Sequence, residues 1–431
     1  MYYKRMIDKS LQEWASKETH KPVLLRGARQ VGKSTAVRHL GECFESYVEI
    51  NFEKQAEYKE LFEGNLDVHR IVSQMAAMCG KPIQPGKTLL FLDEVQACPN
   101  AIMALRFFKE DMPQLHVVAA GSLLEFALAE LPTFGVGRIH SMFMYPMTFD
   151  EFLVRAYLLE GGVPEVVAKW ATTHDFLQCQ EIQDDIVVSY EDDFPKYKKR
   201  VDPMLLRLVM RSAAVQASQK FVYTQTGGGY KTSEIKKAIE LLVMAGLLVP
   251  VTHTAANGLP LGGESDAAYR KLLLLDTGLL LRLLNMDLGN ANEITTHVLT
   301  ASAVDLVNKG PMAEHMTGLE LLRYQSPHMR HELYYWQRQA KNSVAEIDFV
   351  TNYGQQVLPI EVKAGTQGGM KSLWMFMREK KLEIAARCSL ENFGAFDYID
   401  NMAEGVVRHV CICPIYALSR LNGLLSTLNV N

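Results

Sequence analysis

The sequence has no apolar run of eighteen residues, and its first ten residues, MYYKRMIDKS, lack the apolar core of a secretion signal. We therefore expect neither a membrane span nor a secreted chain. Basic residues are not in excess either, because 45 Lys and Arg stand against 49 Asp and Glu, a net charge of −4. Bulk charge thus gives no sign of a nucleic-acid partner, although a balanced chain can still carry a local basic patch.

Cysteine is scarce and lacks the spacing of a metal site. The seven cysteines are scattered and odd in number, which suits a reducing cytoplasm better than a disulfide framework. Cys411 and Cys413 are two residues apart and would share one face of a strand, where a buried structural pair is the simpler interpretation. We therefore expect a cytoplasmic protein, and the length of 431 residues predicts two to four domains.

The stretch LLRGARQVGKST, residues 24–35, carries the clearest chemistry in the chain. Gly27 and Gly32 permit tight turns that point successive N–H groups at an anion. Lys33 can reach the β- and γ-phosphates of a nucleotide, and the Ser34 hydroxyl can bind Mg²⁺. An apolar strand precedes this loop and a helix follows it, whose N-terminus attracts phosphate. We expect ATP to bind on Gly27, Ala28, Arg29, Gln30, Val31, Gly32, Lys33, Ser34 and Thr35.

The stretch KTLLFLDEVQ, residues 87–96, supplies a second element of the same site. It reads as a buried parallel strand that ends at Asp93 and Glu94. Ligands of open α/β sheets bind at this edge. Asp93 would hold Mg²⁺ together with Ser34, and Glu94 would act as the general base toward the attacking water. The two stretches together predict an ATP and Mg²⁺ site that can hydrolyse its nucleotide.

Short apolar strands alternate with helical stretches through residues 1–150, the pattern of an α/β domain with a parallel sheet and helices on both faces. The strands are expected at 22–25, 47–52, 88–93, 116–121 and 138–147. A helical stretch is expected over 148–170, interrupted at Gly161 and Gly162, and a mainly helical segment follows to about residue 200.

Residues 203–276 predict two helices followed by a β-hairpin. The helices are expected at 203–217 and 233–245, and the strands at 247–254 and 268–276. This order is typical of a winged helix-turn-helix. In a DNA-binding interpretation the second helix docks in a groove with Lys236 and Lys237 on its outer face. The alternative is a winged helix that packs only against protein, since two exposed lysines are ordinary.

From about residue 294 the chain is expected to be helical again, and residues 332–365 predict three strands. Asp348 lies on one of these strands, and Glu361 and Lys363 share a face of the next because side chains alternate. With Glu314 from an earlier helix, these acids could hold one or two Mg²⁺ ions of a metal-dependent phosphodiesterase, with Lys363 beside the reacting water. Alternatively, Lys363 neutralises Asp348 and Glu361 in a charge cluster that needs no metal.

Seven motifs occur in an order that resembles a known family, namely LLRGARQVGKST, LFLDEVQ, AAGS, GRIHSMFMYPMTFDEF, GGVPEVV, LLLLDTGL and AEIDFV…LPIEVKAG. They are similar to prokaryotic AAA+ ATPases that carry a C-terminal domain of unknown function with a PD-(D/E)xK nuclease-like fold. The resemblance covers nearly the whole chain. It implies a P-loop AAA+ core over 1–150, a helical lid over 151–202, a winged helix-turn-helix over 203–285 and a PD-(D/E)xK-like α/β domain over 286–431.

The resemblance also implies roles for two further residues. Ser122 lies where a polar sensor residue would read the γ-phosphate, and Arg138 lies where an arginine finger would be offered to a neighbouring subunit of a homo-oligomer. The sequence departs from the family pattern at 119–121, where Ala-Ala-Gly replaces the usual Thr-Gly lead-in.

We therefore expect an AAA+ class ATPase that acts as an ATP-driven switch, and we leave open whether its winged helix contacts DNA or only protein. Two alternatives stay open. One is an ATP-regulated, metal-dependent nuclease, and the other is a non-hydrolytic scaffold that binds protein or DNA.

Overall fold

The computed structural model describes residues 2–122, 124–131, 137–148, 160–197, 200–284, 309–340, 343–363, 369–389 and 392–427. The expected helical residues 149–159, and those expected from about 294 to 308, lie outside these ranges. The chain falls into two compact units. The N-terminal unit comprises Met1–Met147, Met244–Gly246 and Ser326–Arg330, and the C-terminal unit comprises Thr148–Val243, Leu247–Gln325 and His331–Asn431.

The N-terminal unit is built on a five-stranded sheet. Its strands are β1 (Val23–Arg26), β2 (Ser46–Asn51), β3 (Thr88–Asp93), β4 (His116–Ala120) and β5 (His140–Phe143). They are all parallel and lie in the order β2-β3-β4-β1-β5. Every residue of β3 and β4 is buried, as continuous apolar runs predict for a sheet covered on both faces. The parallel α/β sheet expected for this part of the chain is therefore confirmed.

The first four strands lie within one residue of the expected bounds, but the fifth is shorter than the expected 138–147. Pro146 has no N–H group to donate to a neighbouring strand. Strand pairing therefore ends before the apolar run does.

Five helices of the described residues accompany this sheet, whose central strands β3 and β4 are fully buried. These helices are α1 (Met6–Ala15), α2 (Lys33–Gly41), α3 (Val68–Cys79), α4 (Pro99–Asp111) and α5 (Leu124–Glu130). Asp67 caps α3 by accepting from the N–H groups of His69 and Arg70, and Gly80 ends it in the left-handed region. The apolar cluster between these elements includes Phe62 and Phe108, and each buried side chain of this size stabilises the fold by about 1.5–3 kcal/mol. This core holds β3, and therefore the residues at its carboxyl end, in place.

The C-terminal unit contains an eight-stranded mixed sheet. Its strands are β6 (Leu248–Thr254), β7 (Ser265–Leu274), β8 (Leu333–Ala340), β9 (Ser343–Tyr353), β10 (Gln356–Lys363), β11 (Ile384–Ser389), β12 (Gly394–Asp400) and β13 (Val406–Pro414). They lie in the order β12-β13-β11-β10-β9-β8-β6-β7. The three strands expected over 332–365 are confirmed as β8, β9 and β10. Cys411 and Cys413 lie on β13, where both thiols are free and buried as expected.

Eight helices of the described residues follow the first five. They are α6 (Pro164–Thr173), α7 (Phe176–Asp193), α8 (Pro203–Val215), α9 (Thr232–Met244), α10 (Thr277–Leu283), α11 (Lys309–Arg323), α12 (Lys371–Glu379) and α13 (Leu421–Leu425). The two helices expected in the 203–245 region are confirmed as α8 and α9. Within the part of the chain that the structure describes, no helix is both long and apolar enough to cross a membrane.

The hairpin of β6 and β7 belongs to the same sheet as the strands that follow it. Strand β6 pairs with β7 in the antiparallel sense and with β8 in the parallel sense, in a register that sets Val251 opposite Leu333. The boundary expected at 285/286 lies outside the described residues, and the strands before and after it, β6 and β8, pair within one sheet. A pairing between such distant segments leaves no local mark in the sequence. The four-domain division, the winged helix-turn-helix and the nuclease-like fold stay predictions.

Candidate functional site

The loop between β1 and α2 has a backbone that only particular residues tolerate. Gly27 has φ +146°, and a Cβ placed there would lie 2.1 Å from the carbonyl oxygen of Met144. Gln30 and Gly32 also have positive φ, +61° and +93°. Such conformations cost free energy at a non-glycine residue and cluster at ligand sites. The loop is therefore a compact turn of the type that cradles an anion.

Arg5 holds this loop from the side of the N-terminal segment. Its buried guanidinium donates to the carbonyl oxygen of Val31 at 2.9 Å and to that of Tyr145 at 2.8 Å. Sequence reasoning missed Arg5, because a single arginine ahead of an amphipathic helix carries no local signal. The loop is thus anchored by a side chain from outside its own motif.

Lys33 is buried at the start of α2 with its side chain turned toward the loop. Its Nζ donates to the carbonyl oxygens of Gly27 at 3.0 Å and of Ala28 at 2.6 Å. Burial lowers the pKa of Lys33 to about 8, against the opposing effect of the Glu94 and Asp93 carboxylates. A desolvated ammonium that donates to carbonyl oxygens is a strong partner for phosphate oxygens.

Asp93, at the carboxyl end of β3, has two polar partners. The Ser34 hydroxyl donates to Oδ1 at 3.1 Å, and the Asn51 amide donates to Oδ2, also at 3.1 Å. Burial raises the pKa of Asp93, and the neighbouring Glu94 charge raises it further. Hydroxyl and carboxylate oxygens are the ligands that Mg²⁺ prefers, so Ser34 and Asp93 fit the ion that the nucleotide site implies. Sequence reasoning missed Asn51, although its place at the end of an expected strand was a signal.

Glu94 follows in a left-handed conformation with φ +50°. Its Oε2 accepts from Gln96 Nε2 at 2.6 Å, from Ser122 Oγ at 3.2 Å and from the Ser122 N–H at 3.3 Å. A Cβ at Gly121 would lie 2.0 Å from Gln96 Oε1, so the absence of a side chain at Gly121 leaves space for Gln96. Ser122 thus contacts the carboxylate expected to act as the base, and Gln96 is a partner that sequence reasoning missed.

The remaining residues expected at this site differ in exposure. Arg138 forms an ion pair with Glu110 of the same unit, and both side chains are exposed. Arg29 is half-buried and Thr35 is exposed. The structure therefore brings together Lys33, Ser34, Asp93, Glu94 and Ser122, and it places Arg138 in a surface ion pair.

A second group of acids lies in the C-terminal unit. Carboxylate oxygens of Glu314 on α11 and of Glu346 and Asp348 on β9 all lie within 4.8 Å of one another. The expected set was Glu314, Asp348 and Glu361, and among the described residues the grouped set contains Glu346 in place of Glu361. Sequence reasoning missed Glu346, although alternation along a strand puts it on the same face as Asp348.

Two ammonium groups lie among these acids. Lys271 Nζ is 2.6 Å from Glu314 Oε1 and 2.5 Å from Glu346 Oε1, and Lys363 Nζ is 2.5 Å from Glu361 Oε1. The expected same-face contact of Glu361 and Lys363 is confirmed. Burial raises the pKa of Glu314 to about 8, and burial with the Asp348 charge raises that of Glu361 to about 7.

The hydrogen bonds of Asp348 and Glu361 complete this cluster. Asp348 Oδ2 accepts from the Val362 N–H at 2.7 Å. Glu361 Oε2 is buried and has no hydrogen-bond partner among the residues that the structure describes.

The lysines expected on the outer face of α9 are not equivalent. Lys237 is exposed, but Lys236 is only half-exposed, and its Nζ lies 5.6 Å from the centre of the Tyr223 ring. The tyrosine ring attracts this ammonium. Of the two lysines, Lys237 is the more accessible to a partner.

Three segments of the chain match known domain families. Residues 19–153 match an AAA domain, residues 151–289 match the domain of unknown function DUF8612, and residues 309–402 match the domain of unknown function DUF4143. No curated protein matches the chain.

A solved structure is also similar to part of the chain. It is the Walker-type ATPase PABY2304 of Pyrococcus abyssi, similar over 66% of this chain and 96% of that chain, with 15% identity and a TM-score of 0.46. Likeness at this level carries no argument about function. The AAA-domain match spans β1, the loop between β1 and α2, and the end of β3, so residues 19–153 are similar to a P-loop domain of the AAA type.

Proposed function

Starting from a P-loop AAA-type domain at residues 19–153, we propose that this protein binds ATP with Mg²⁺, hydrolyses it, and works as an ATP-driven switch. One observation carries the proposal. The Ser34 hydroxyl and the Asp93 carboxylate meet at 3.1 Å beside the buried Lys33 ammonium, with Glu94 next in the chain. Cation, metal ligands and base therefore come together at one sheet edge, the place where α/β sheets bind ligands.

Each of these residues has a defined part in the proposed reaction. Lys33 leaves the carbonyls of Gly27 and Ala28 and pairs with the β- and γ-phosphates. Ser34 and Asp93 hold Mg²⁺, which when bound offsets the charge of the phosphates. Glu94 accepts a proton from the attacking water. The loop N–H groups and the N-terminus of α2 take the remaining phosphate charge.

Two further residues complete the proposal. Ser122 stands beside Glu94 and would exchange this contact for the γ-phosphate. The exposed Arg138 would leave Glu110 and stabilise the transition state in a neighbouring subunit, which makes the active form a homo-oligomer. In this proposal Ser122 and Gln96 position the Glu94 carboxylate when no nucleotide is bound.

The test is ATP hydrolysis by the purified full chain with Mg²⁺. Glu94→Gln keeps the shape of the side chain but accepts no proton, so it should bind ATP normally and turn over at least roughly a hundredfold more slowly. Glu57→Gln, an exposed glutamate of the same unit, is the matched control and should keep the parent rate. Unchanged turnover in Glu94→Gln would mean that another residue activates the water, and no turnover in the parent would reduce the protein to a nucleotide-binding scaffold.

DNA contact through α9 and the β6–β7 hairpin is a second candidate. The observation that favours it is the exposed Lys237 on the helix that precedes a two-stranded hairpin, as in a winged helix-turn-helix. A salt titration of duplex DNA binding tests it, because phosphate contacts give a linear loss of log affinity with log salt. Lys237→Ala should reduce the slope by about one, with Lys81→Ala at an exposed position as control. Binding that is absent, or equal in both variants, would leave α9 as a protein-packing element.

A further inference from the structure

Lys271 is the most deeply buried cation of the C-terminal unit's acidic cluster. It lies on β7 in the run Tyr-Arg-Lys-Leu-Leu-Leu-Leu, and its side chain is fully buried. A buried ammonium is stable only where carboxylates or other acceptors surround it. Lys271 therefore depends on the acids that it contacts, and they depend on it.

Two carboxylates from different elements converge on this one ammonium. Lys271 Nζ is 2.6 Å from Glu314 Oε1 on α11 and 2.5 Å from Glu346 Oε1 on β9. The ring of Tyr335 lies 5.2 Å from the same nitrogen. The Lys271 ammonium therefore supplies to Glu314 and Glu346 the positive charge that a metal ion would otherwise supply.

The other acids of the cluster are also engaged. Glu361 pairs with Lys363, and Asp348 accepts a backbone N–H group. The Mg²⁺ ions expected from the sequence pattern at Glu314, Asp348 and Glu361 do not fit this arrangement, since Mg²⁺ demands near-ideal octahedral oxygen geometry at about 2.0–2.1 Å. One oxygen of each of Glu314 and Glu361 is already committed to an ammonium.

We propose that Lys271 is a built-in cation that fills the acidic cluster of Glu314, Glu346 and Asp348 and excludes divalent metal ions from it. The C-terminal unit then carries the acids of a phosphodiesterase site but cleaves nothing. The positive charge that a metal ion would supply comes instead from the side chain of Lys271 on β7. This inference goes beyond the ATP chemistry proposed above and stands independently of it.

The test is Mn²⁺ binding to the full chain without nucleotide. Binding is measured by calorimetry and by the electron paramagnetic resonance signal of free Mn²⁺. All proteins carry Asp93→Asn, so that an ion at the P-loop is not counted. With native Lys271 we expect no ion to bind at Mn²⁺ concentrations up to roughly 1 mM, a value typical of the weakest divalent-cation sites of proteins. Lys271→Met should bind one Mn²⁺ per chain at least roughly tenfold more tightly, a difference that a vacated carboxylate site permits. Adding Asp348→Asn should abolish this binding.

Two controls keep the outcome decisive. Lys271→Arg retains the charge and should bind no Mn²⁺. Because Lys271→Met leaves buried acids without a counter-ion, Lys271→Met with Glu346→Gln removes one charge of each sign and preserves the fold. That double variant should also gain Mn²⁺, and its melting temperature should rise with Mn²⁺ while that of the chain with native Lys271 stays unchanged.

Either of two results would overturn the proposal. One is a chain with native Lys271 that binds one Mn²⁺ as tightly as Lys271→Met and loses it in Glu361→Gln. This result would assign the orphaned Glu361 Oε2 to a metal and restore the nuclease alternative. The other is a folded Lys271→Met chain, with all three acids in place, that binds no Mn²⁺, which would show that the acids cannot hold an ion even without the ammonium.

Discussion

Asn51 and Asp93 stand opposite each other at the carboxyl ends of β2 and β3, and the Asn51 amide donates to Asp93 Oδ2 across 3.1 Å. The Ser34 hydroxyl donates to the other oxygen, Oδ1, so hydrogen bonds orient both oxygens of the carboxylate. Removal of a residue that orients a metal ligand in this way typically lowers metal affinity about 10–100-fold. Asn51 is thus a positioning residue of the proposed Mg²⁺ site.

Asn51→Ala should therefore raise the Mg²⁺ concentration needed for half-maximal ATP binding by roughly tenfold, because Asp93 loses one of its two restraints. ATP affinity at saturating Mg²⁺ should stay near that of the parent. A fluorescent-ATP titration at several Mg²⁺ concentrations measures both quantities, and Asn65→Ala, on the surface of the same unit, is the control. An unaltered Mg²⁺ requirement would show that Asn51 does not orient the ligand.

Lys33→Ala should weaken ATP binding by an order of magnitude or more, since a charge-assisted contact is worth about 1.5–3 kcal/mol. The parent should also lose affinity as pH rises, because burial lowers the Lys33 pKa to about 8 and only the protonated amine pairs with phosphate. Above that pKa the loss approaches about tenfold per pH unit. Fluorescent-ATP titrations between about pH 7 and pH 9.5 measure the effect.

Lys33→Arg separates these two contributions, because a guanidinium stays charged throughout this range. Its affinity should be lower than that of the parent but should not fall with pH. Equal affinity of Lys33→Ala and the parent would contradict the phosphate-cradle assignment. A pH profile shared by the parent and Lys33→Arg would instead place the titration on another group.

Arg138→Ala should slow ATP turnover if the arginine acts on a neighbouring subunit, and the parent rate per chain should then rise with protein concentration. Mixing Arg138→Ala with Glu94→Gln should restore part of the activity, because each subunit supplies what the other lacks. Glu110→Gln, which frees Arg138 from its ion pair, is the control and should not slow turnover. A rate per chain that is independent of concentration would argue against an inter-subunit site.

The buried pair of His20 and His116 predicts a loss of stability in mild acid. Burial, helped by the charge of His116, lowers the pKa of His20 to about 4, and burial also lowers that of His116. Between the unperturbed value of about 6.5 and pH 4, the unfolded chain binds more protons than the folded one, so stability falls as pH falls. The slope for one such histidine is at most about 1.4 kcal/mol per pH unit.

His20→Phe keeps a ring against Trp14 and His116 but removes the titration. Urea midpoints between about pH 7 and pH 5 should therefore fall less steeply in this variant than in the parent. His69→Phe, at an exposed position of the same unit, should keep the parent slope. A parallel fall in His20→Phe would assign the acid sensitivity to other groups, His315 of the C-terminal unit among them, whose pKa burial lowers to about 3.

Much of the nucleotide site could be predicted from local sequence. Gly27 and Gly32 mark the turns, Lys33 and Ser34 begin a helix, and Asp93 and Glu94 end a fully apolar strand, so each role follows from residue type and neighbours. The partners of these residues could not be predicted in the same way. Arg5 and Asn51 reach their acceptors, which are distant in sequence, only after the chain has folded.

For the acids of the C-terminal unit, less could be predicted from local sequence. Alternation predicted that Glu361 and Lys363 share a face, and the same rule could have added Glu346 beside Asp348. The identity of the cation among these acids could not be predicted, because Lys271 reads only as one charge in an apolar strand. Its place was decided when β7, α11 and β9 came together around it.

The sequence by itself determined where this chain turns, where its strands end and which residue types stand there, because φ/ψ preference, side-chain alternation and helix capping are properties of neighbouring residues. The tertiary structure decided which of these groups meet. It placed Asn51 against Asp93 and Lys271 between Glu314 and Glu346, and it joined β6 to β8. Pairing between distant segments depends on the burial and charge balance of the whole unit, and no single stretch of sequence contains that information.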